Sequence, residues 1–511
     1  MTAGGLPRRR FLAASAVSGL AGLAPFVPAL AASGGDPGEE WGGAFAAALG
    51  RNPMLLGWKT PPDRLDTGSL AVTGAWPAGL KGRFFRNGPS IHDRFGRRCR
   101  HWFDGDGMIQ EFAIDGGRIA HRGRTIRTPK LDREDAAGKR LYNGYGTHLE
   151  SAAPVRGPDG LNAANISVLH HGGELLALWE GGSATRLDEA TLAASGFKSW
   201  SPQLAGVPFS AHPKVDPDGT LWNIGCALLP RPALVLYHID RAGRLAKAAL
   251  VDAGPIGLIH DFVVTHKSLV ILIQPFLFDP GRAERTSILD AHVWDPQAET
   301  RVLVVDKEDF NRRRWHALPA CFGFHYGNAW EEADGTIRLD HCLAGDPGIL
   351  TETLRYVMKG EFRPSAPLRY AQIVLPPKGD GRIESRAEEA EFAKVAPAVV
   401  GRRHRFVYTL GAPDKPEGWH FRTVVKRDLE RGTAERFDYG PGKIPEEHIF
   451  VPKPGGRSED DGWLIGTVLD WKKGVSGLSA FDAQAVSAGP VAQAWLPYPL
   501  PLGFHGAFVG G

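Results

Sequence analysis

Short apolar or alternating stretches, separated by turn-forming residues, recur along nearly the whole chain and limit the folds open to it. Five clear examples are LLALWE, TLWNIG, LVILIQ, RFVYTL and WLIGTV, at 175–180, 220–225, 269–274, 405–410 and 463–468. Stretches of this length and composition predict β-strands. Eight Asp-Gly pairs supply turn signals that suit tight connections between antiparallel strands. The chain is therefore predicted to be all-β.

Helices are predicted to be few and short. The 64 glycines and 39 prolines leave little uninterrupted sequence for long helices. The best helical candidates are residues 41–49 and the acidic stretch 386–394. Many short strands without a strand-helix-strand rhythm favour either a β-propeller or a pair of β-sandwiches. In a propeller, the inner ends of different blades converge on one axis.

The N-terminal segment has the pattern of an export leader. The sequence RRRFL at 8–12 precedes a mildly apolar stretch at 13–30, which ends in the small-residue pattern ALA at 29–31. This arrangement is typical of a twin-arginine signal peptide, so we expect residues 1–31 to be removed and the mature protein to be periplasmic. A membrane helix is the alternative, although glycines and prolines interrupt the stretch. The three leader arginines account for the net charge of +3, so charge indicates no nucleic-acid partner.

Five motifs in order along the mature chain carry a resemblance to a known family. They are FRNGP at 85–89, HWFDGDGM at 101–108, AHPK at 211–214, FHYGNAWE at 324–331 and FHG at 504–506. These motifs resemble the carotenoid cleavage oxygenases, which also include lignostilbene dioxygenases and a retinoid isomerohydrolase. The resemblance implies that residues 32–511 form a single seven-bladed β-propeller domain. It also implies a small helical cap over the metal-bearing face and one Fe(II) per chain, with O2 as co-substrate.

Matched motif by motif, the resemblance gives the iron ligands as His212, His260, His325 and His505. Their irregular spacing matches no short metal-binding signature, so spacing alone cannot show that they meet. Four neutral imidazoles form a ligand set that suits iron and is compatible with other first-row metals.

Three glutamates match family positions behind the ligands. Metal-bound imidazoles usually donate their second ring N–H to a carboxylate or a carbonyl group. The resemblance pairs Glu180, Glu391 and Glu447 with His260, His325 and His505, in that order, and leaves His212 without an acidic partner.

The expected reaction is the oxidative cleavage of a C=C bond of a carotenoid or apocarotenoid to two carbonyl products. Four protein ligands leave at most two positions on iron, which suffices for O2 but hardly for a bidentate co-substrate. Ile166 stands where many family members carry threonine near the open position, so it is expected to shield the site without hydrogen bonding.

The substrate tunnel is harder to predict than the metal site. Aromatic residues next to the ligand motifs, namely Phe103, Phe262, Phe324, Tyr326 and Phe504, either line an apolar tunnel for a polyene or belong to the blade cores. Polyenes partition into bilayers, so peripheral membrane contact is expected, with 227–236 and 275–278 as candidate apolar patches.

Three alternatives remain open. Lys130 lies near the position where stilbenoid-cleaving enzymes bind a phenol, which keeps a stilbenoid or phenylpropenoid substrate in view, whereas HWFDGDGM and GFHGAF look more like carotenoid enzymes. A carotenoid-binding protein without catalytic activity would fit an exported chain but has no need of all four histidines. A calcium-dependent propeller hydrolase could use Asp104, Asp106 and Asp216, although no complete calcium-loop signature is present.

Overall fold

The structure, a computed structural model, describes residues 37–228, 232–413, 419 and 421–511. The predicted signal peptide at 1–31 lies outside these residues, as do positions 229–231 of one candidate membrane-contact segment. Most of the described chain forms β-strands, and the connections between them include short helical segments.

The strands are short and nearly all pair with antiparallel neighbours. In the first half of the chain they are β1 (Arg64–Thr67), β2 (Ala71–Gly74), β3 (Gly82–Ile91), β4 (Asp93–Arg94), β5 (Arg97–Arg98), β6 (Asp106–Asp115), β7 (Arg118–Thr125), β8 (Ser167–His171), β9 (Glu174–Leu178), β10 (Ala184–Leu187), β11 (Ala194–Lys198), β12 (Lys214–Val215), β13 (Leu221–Ala227), β14 (Ala233–Ile239), β15 (Leu245–Val251), β16 (Val263–Val264) and β17 (Ser268–Ile273). In the second half they are β18 (Phe276–Phe278), β19 (His292–Trp294), β20 (Thr300–Asp306), β21 (Arg313–Leu318), β22 (Tyr326–Glu331), β23 (Ile337–Leu343), β24 (Arg369–Leu375), β25 (Arg382–Lys394), β26 (Phe406–Gly411), β27 (Thr423–Asp428), β28 (Thr433–Asp438), β29 (Lys443–Pro452), β30 (Gly462–Asp470), β31 (Val475–Asp482), β32 (Pro490–Trp495) and β33 (His505–Gly510).

The helical segments are short, as the composition predicts. The α-helices are α1 (Pro37–Leu49), α2 (Pro129–Ala137), α3 (Pro280–Ala283) and α4 (Leu354–Tyr356). Single turns of 3-10 helix cover Pro53–Trp58, Trp102–Asp104, Pro158–Leu161, Pro202–Leu204, Val357–Lys359, Pro397–Val399 and Val486–Ala488, and a π-helical turn covers Ile349–Thr353. Within the described ranges, no helix has both the length and the apolar character needed to cross a bilayer.

Nearly all the elements that the local sequence predicted individually are correct. All five quoted apolar stretches coincide with strands, namely β9, β13, β17, β26 and β30, and residues 41–49 lie in α1. The helix predicted at 386–394 is wrong, because these residues belong to β25. Their alanines and glutamates favour a helix intrinsically, but pairing with β24 on one side and β26 on the other overrides that preference.

The sheets form seven blades. Six follow chain order, each as an antiparallel set of four strands: β8 to β11, β12 to β15, β16 with β17, β20 and β21, β22 to β25, β25 to β28, and β29 to β32; the sets β22 to β25 and β25 to β28 belong to one seven-stranded sheet. Strand β25 serves two blades, because its first residues pair with β24 and its last residues pair with β26. The remaining blade contains β3, β6, β7 and β1.

The ends of the described chain close the ring of blades. Strand β33, near the C-terminus, pairs with β3, and β2 pairs with β32 of the last blade. At the centre, β33 lies against β8 and β29, while β22 lies against β16 and β25. The architecture is therefore a closed seven-bladed β-propeller, in which the innermost strands of different blades face one axis.

A small helical cap covers one face of the propeller. Its core combines α1, the turn Pro53–Trp58 and the helical segment at 349–359 with aromatic residues from the blade ends. Among the latter are Phe324 and Phe504, which immediately precede two of the predicted iron ligands. The cap therefore lies over the face at which those ligands enter the central strands.

Candidate metal centre

The four predicted ligands sit at the entrances of innermost strands. His212 and His260 lie in the segments before β12 and β16, His325 directly precedes β22, and His505 is the first residue of β33. Because these strands surround one axis, histidines far apart in sequence reach a common point. This convergence could not be read from their irregular spacing.

The imidazoles meet through their Nε2 atoms. The Nε2 atom of His260 lies 2.9 Å from Nε2 of His212 and 3.2 Å from Nε2 of His325, and Nε2 of His325 lies 3.1 Å from Nε2 of His505. One nitrogen from each of the four rings lies within 4.8 Å of the others, and all four residues are buried. Such a cluster has the donor geometry to surround a single ion.

Burial keeps most of these rings neutral. It lowers the pKa of His212 and His325 well below the usual value, with the neighbouring imidazoles adding to the effect, and it lowers the pKa of His505 to about 3. Burial is also the largest effect on His260, but the carboxylates of Glu180, Asp261 and Glu391 together outweigh it and raise the pKa of His260. Neutral imidazoles present a nitrogen lone pair, which metal binding requires.

Three of the four imidazole rings hydrogen-bond to a carboxylate through Nδ1, the ring nitrogen that points away from the cluster. Nδ1 of His260 lies 2.9 Å from Glu180, and Nδ1 of His505 lies 2.8 Å from Glu447. Glu391 makes a short hydrogen bond with Nδ1 of His325. A ring that donates Nδ1–H to a carboxylate exposes the Nε2 lone pair to the centre, so these contacts fix ring orientation and tautomer together.

His212 differs from the other three ligands. Its backbone N–H donates to Ser210 Oγ at 3.2 Å, but no carboxylate contacts its ring among the residues that the structure describes.

Irregular strand pairing aims two of the glutamates at the axis. The register of β25 against β26 shifts between Glu391 and Lys394, and the register of β29 against β30 shifts between Pro445 and His448. β-Bulges of this kind redirect side chains and are common next to active sites. Glu180 instead lies just beyond the end of β9.

The donor set fits a single non-heme iron. Four imidazole nitrogens favour a divalent first-row metal, and the outer N–H groups of three of the rings are engaged by acids that make those rings better donors. The carboxylates themselves are occupied with the rings, so the structure offers nitrogen rather than oxygen to the ion.

An apolar cavity opens on the cluster. Its empty volume is about 710 Å³, and His260, His325 and His505 form one part of its wall. Most of the remaining wall is aromatic or aliphatic, with rings from Trp102, Phe103, Phe324, Phe392, Trp419, Phe421 and Phe504.

Comparison with known proteins places the chain in a family. A family model described as "Retinal pigment epithelial membrane protein" matches residues 60–510. An apocarotenoid-15,15'-oxygenase of Synechocystis is 31% identical over 487 residues, which cover 89% of this chain and 95% of that protein. The chain belongs to this family, the carotenoid cleavage oxygenases.

Other members agree with this assignment. A carotenoid 9,10(9',10')-cleavage dioxygenase 1 of Phaseolus vulgaris is 29% identical and covers 88% of this chain and 87% of its own length. An isoeugenol monooxygenase of Pseudomonas nitroreducens is 27% identical and covers 91% of this chain and 99% of its own length. The solved structure of the cobalt-substituted Synechocystis apocarotenoid oxygenase superposes with a TM-score of 0.81 at 28% identity, covering 90% of this chain and 99% of that chain.

Of the tunnel residues expected from the family motifs, Phe103, Phe324 and Phe504 line the cavity and two others do not. Phe262 is buried in the core shared by neighbouring blades, where Val264 and Ile271 also pack. Tyr326 stacks on His341 with ring centroids 3.9 Å apart, so its ring faces blade core. Phe262 directly precedes β16 and Tyr326 is the first residue of β22, so both lie where the chain passes from the metal-bearing face into the blades.

Ile166 and Lys130 also lie away from the cavity wall. Ile166 is buried in a cluster with Leu178 and Ala211. Lys130 is buried in α2, where its ammonium group lies 2.8 Å from the Asp106 carboxylate and 3.6 Å from Glu134. Because Lys130 is held by two acids, it is not free to bind a phenol.

The aspartates considered for calcium have other partners. Asp104 accepts hydrogen bonds from Gly146 N–H and from the Thr147 hydroxyl. Asp106 pairs with Lys130, and Asp216 lies 2.7 Å from Lys307. These contacts leave the three carboxylates in separate networks rather than around one ion.

Sequence reasoning missed several wall residues. Trp102 also lines the cavity; it directly precedes Phe103 in the HWFDGDGM motif, and this position could have predicted that it belongs to the wall. Trp419, Phe421 and Leu410 come from a distant blade and from the segment leading to it, and no local pattern marks them. Glu446, which directly precedes Glu447 in β29, also lines the cavity.

Proposed function

We propose that the protein is an Fe(II)-dependent dioxygenase that cleaves a C=C bond of a carotenoid or apocarotenoid into two carbonyl products. The observation that carries the proposal is the four-histidine cluster in the wall of an aromatic cavity. The mostly apolar cavity suits a long apolar molecule, and the histidines that would bind the metal lie in one part of its wall.

Bound iron would supply O2 activation, for which four protein ligands leave up to two positions. The reaction balances without a reductant: one alkene and one O2 give two carbonyl fragments, and both oxygen atoms remain in the products. No residue has to supply a net proton. The glutamates have the task of holding the Nδ1 protons of three imidazoles in place throughout turnover.

The cavity wall positions the alkene. Phe103, Phe324 and Phe504 pack against one another, with ring centroids 6.3 Å apart for Phe103 and Phe324 and 5.2 Å apart for Phe103 and Phe504. Phe324 also lies 5.3 Å from the His260 ring. Such a wall excludes water and holds a flat polyene by contact with ring faces and edges.

The names of relatives support this substrate class. The Synechocystis relative is an apocarotenoid oxygenase and the Phaseolus relative is a carotenoid cleavage dioxygenase. The isoeugenol monooxygenase relative favours a second candidate, cleavage of a phenylpropenoid or stilbenoid alkene. The ion pairs of Lys130 weigh against that candidate, because they engage the side chain expected to bind a phenol.

Product analysis tests the proposal. The full chain would be loaded with Fe(II) without oxygen and then exposed to air with an apocarotenal, a full-length carotenoid or a hydroxystilbene. The proposal expects paired carbonyl fragments from a polyene. Aldehydes from the stilbene alone would move the assignment to stilbenoid cleavage. Binding without any cleavage by iron-loaded protein would favour a carrier.

Export and membrane contact are proposed from sequence and substrate chemistry. The RRRFL pattern at 8–12 supports export by the twin-arginine route to the periplasm, and replacing the arginines at 8–10 by lysine should retain the protein in the cytoplasm. A polyene substrate supports contact with a bilayer. The candidate segment 275–278 is buried or half-buried, as are the described residues of 227–236, so other surfaces deserve testing by vesicle flotation.

A further inference from the structure

One carboxyl group in the cavity wall, that of Glu446, is not among the three that hydrogen-bond to the clustered histidine rings. The polar side chains in the wall are His260, His325 and His505, Glu391 behind His325, two tryptophan indoles, and Glu446. Glu446 is 6% exposed and its wall neighbours Ile444 and Pro445 provide no charge to pair with it.

The strand irregularity in β29 explains how two adjacent glutamates take different directions. The register of β29 against β30 shifts between Pro445 and His448. Glu447 is fully buried and accepts a hydrogen bond from His505, whereas Glu446 lines the cavity. Adjacent side chains point in opposite directions in a regular strand as well. The register shift determines that Glu446 faces the cavity and Glu447 faces His505.

The bonds that Glu446 makes leave it with spare hydrogen-bonding capacity. Its Oε1 atom accepts the Gly503 N–H, the Thr467 hydroxyl also donates to the carboxyl group, and the Arg86 guanidinium nearby favours its charged form. Burial is the larger effect and raises the pKa of Glu446 above its usual value. A carboxyl group has two oxygens with about four lone-pair positions, and in its protonated form it also carries an O–H donor.

A carboxyl group in an apolar wall costs stability unless it has a hydrogen-bonding partner. Protein donors use only part of the capacity of the Glu446 carboxyl group; a hydrocarbon ligand would leave the remaining lone pairs facing carbon, whereas a ligand oxygen would use them. A hydroxyl group can donate to Glu446, and a carbonyl group can accept from its protonated form.

We propose that Glu446 recognises a hydroxyl or carbonyl oxygen on the polyene, so that the cavity selects oxygenated polyenes over hydrocarbons. This inference rests on the proposed function. Anchoring one end of the ligand fixes its register along the cavity, and therefore which double bond lies beside the histidine cluster. Glu446 is in this account a specificity-determining residue.

Anaerobic binding to the metal-loaded full chain tests the proposal. Quenching of tryptophan fluorescence reports occupancy, because Trp102 and Trp419 line the cavity. Three ligands would share one polyene chain and end in an alcohol, an aldehyde or a methyl group. The native protein is expected to bind the oxygenated ligands about 10-fold more tightly than the methyl-ended ligand, the effect of one buried hydrogen bond.

Two substitutions and a control separate recognition from structure. Glu446→Leu is expected to abolish the end-group preference, whereas Glu446→Gln should retain part of it because an amide also donates and accepts. Metal content should stay stoichiometric in both. Ile444→Ala, a change in the same wall, should weaken binding of all three ligands alike and leave their ratio unchanged.

The outcomes also separate this inference from the proposed function. An end-group ratio near one in the native protein, or an unchanged ratio in Glu446→Leu, overturns the inference. Loss of metal from both Glu446 variants also overturns it, because the side chain would then act by positioning Gly503 and His505. If the native protein shows the preference but iron-loaded protein cleaves none of the ligands, the proposed function fails while the recognition role stands.

Discussion

At the residue scale, the three supporting carboxylates differ in their surroundings. Glu447 is fully buried with two cations beside it, Lys394 at 2.8 Å and Arg86 at 3.6 Å, and its pKa is held well below the usual value. Burial raises the pKa of Glu391 to about 7. The side chain of Glu180 is 18% exposed. The ligands therefore differ in the acids that support them. His505 is hydrogen-bonded to Glu447, whose negative charge is balanced by two adjacent cations.

Removing one ligand should remove the metal without unfolding the propeller. For His260→Ala we expect loss of stoichiometric iron, because the ring contacts both His212 and His325 at the centre of the cluster. Iron would be measured by elemental analysis, and folding by circular dichroism. His171→Ala, whose ring binds the Gly219 carbonyl in the turn between β12 and β13 and is not part of the histidine cluster, is the matched control and should keep its iron. Full iron occupancy in His260→Ala would remove that residue from the site.

Weakening one supporting acid should lower metal affinity in a graded manner. Glu180→Gln keeps the shape of the side chain but loses the charge that holds Nδ1 of His260, so we expect roughly a 10- to 100-fold loss of affinity in competition with a chelator. Glu174→Gln changes an acid of the same blade that pairs with Arg186 and Lys198 instead. Equal affinities for the two variants would contradict the supporting role of Glu180.

The individual residues could be predicted from sequence only through the family motifs. The motifs identified four histidines that the structure brings together, and three glutamates that it places behind them. Without the motifs, a histidine at an irregular spacing gives no metal signal. Phe262 and Tyr326 were expected in the tunnel because they adjoin ligand motifs, but side-chain direction depends on strand register, which the sequence does not display.

At the element scale, the loop that carries His212 packs closely against Gly225 of β13. Ser210 donates its N–H to the Ile224 carbonyl, and the Asn223 amide donates to the Ser210 carbonyl. A Cβ atom on Gly225 would lie 1.9 Å from the Pro208 carbonyl oxygen. Glycine is thus required for the loop to approach β13 closely, and the position of His212 depends on that approach.

Gly225→Ala should therefore displace the His212 loop. We expect a loss of stability of about 1–3 kcal/mol, typical of overpacking, together with weaker metal binding. Thermal unfolding and chelator competition would measure the two effects. Gly345→Ala, at a position where a Cβ meets nothing within 4 Å, is the control and should be close to neutral. A Gly225→Ala protein with unchanged stability and metal affinity would show that the loop adapts.

Apolar strands could be predicted from local sequence, whereas the strand at 386–394 and the β-bulges could not. Apolar stretches such as LVILIQ fit a strand buried on both sides, which is what β17 is. The segment at 386–394 was predicted as a helix because its composition suits one, and only long-range pairing makes it part of β25. The bulges that aim Glu391 and Glu447 are likewise set by partner strands and have no local signature.

At the scale of the whole molecule, neutral histidines buried throughout the propeller make its stability depend on pH. Burial lowers the pKa of His101 and His121 to about 3 and that of His448 to about 4. The pKa of such a group in the unfolded chain is near 6.5. These rings take up a proton only after unfolding, so the free energy of unfolding falls as the pH drops from 6.5 toward 4.

The expected slope is on the order of 1.4 kcal/mol per pH unit for each such histidine. Denaturant unfolding between pH 7 and pH 5 would measure it. His121→Gln should reduce the slope by about one proton, because His121 binds Gln110 and Tyr498 and makes no contact with the histidine cluster. A native protein equally stable at both pH values would contradict the prediction.

The propeller itself followed from the family motifs rather than from repeats. Short strands and turns predicted an all-β chain but left a propeller and paired sandwiches open. The decisive pairings, β33 with β3 and β2 with β32, join residues from opposite ends of the chain. Such contacts depend on the complete fold, and no local window contains them.

Four imidazoles are proposed to hold one iron at the wall of the apolar cavity. X-ray absorption at the iron edge of the Fe(II)-loaded full chain would test this arrangement. We expect one iron per chain, bound by four imidazole nitrogens and by no sulfur or carboxylate oxygen from the protein. A site with fewer imidazoles, or with a glutamate bound to iron, would contradict it.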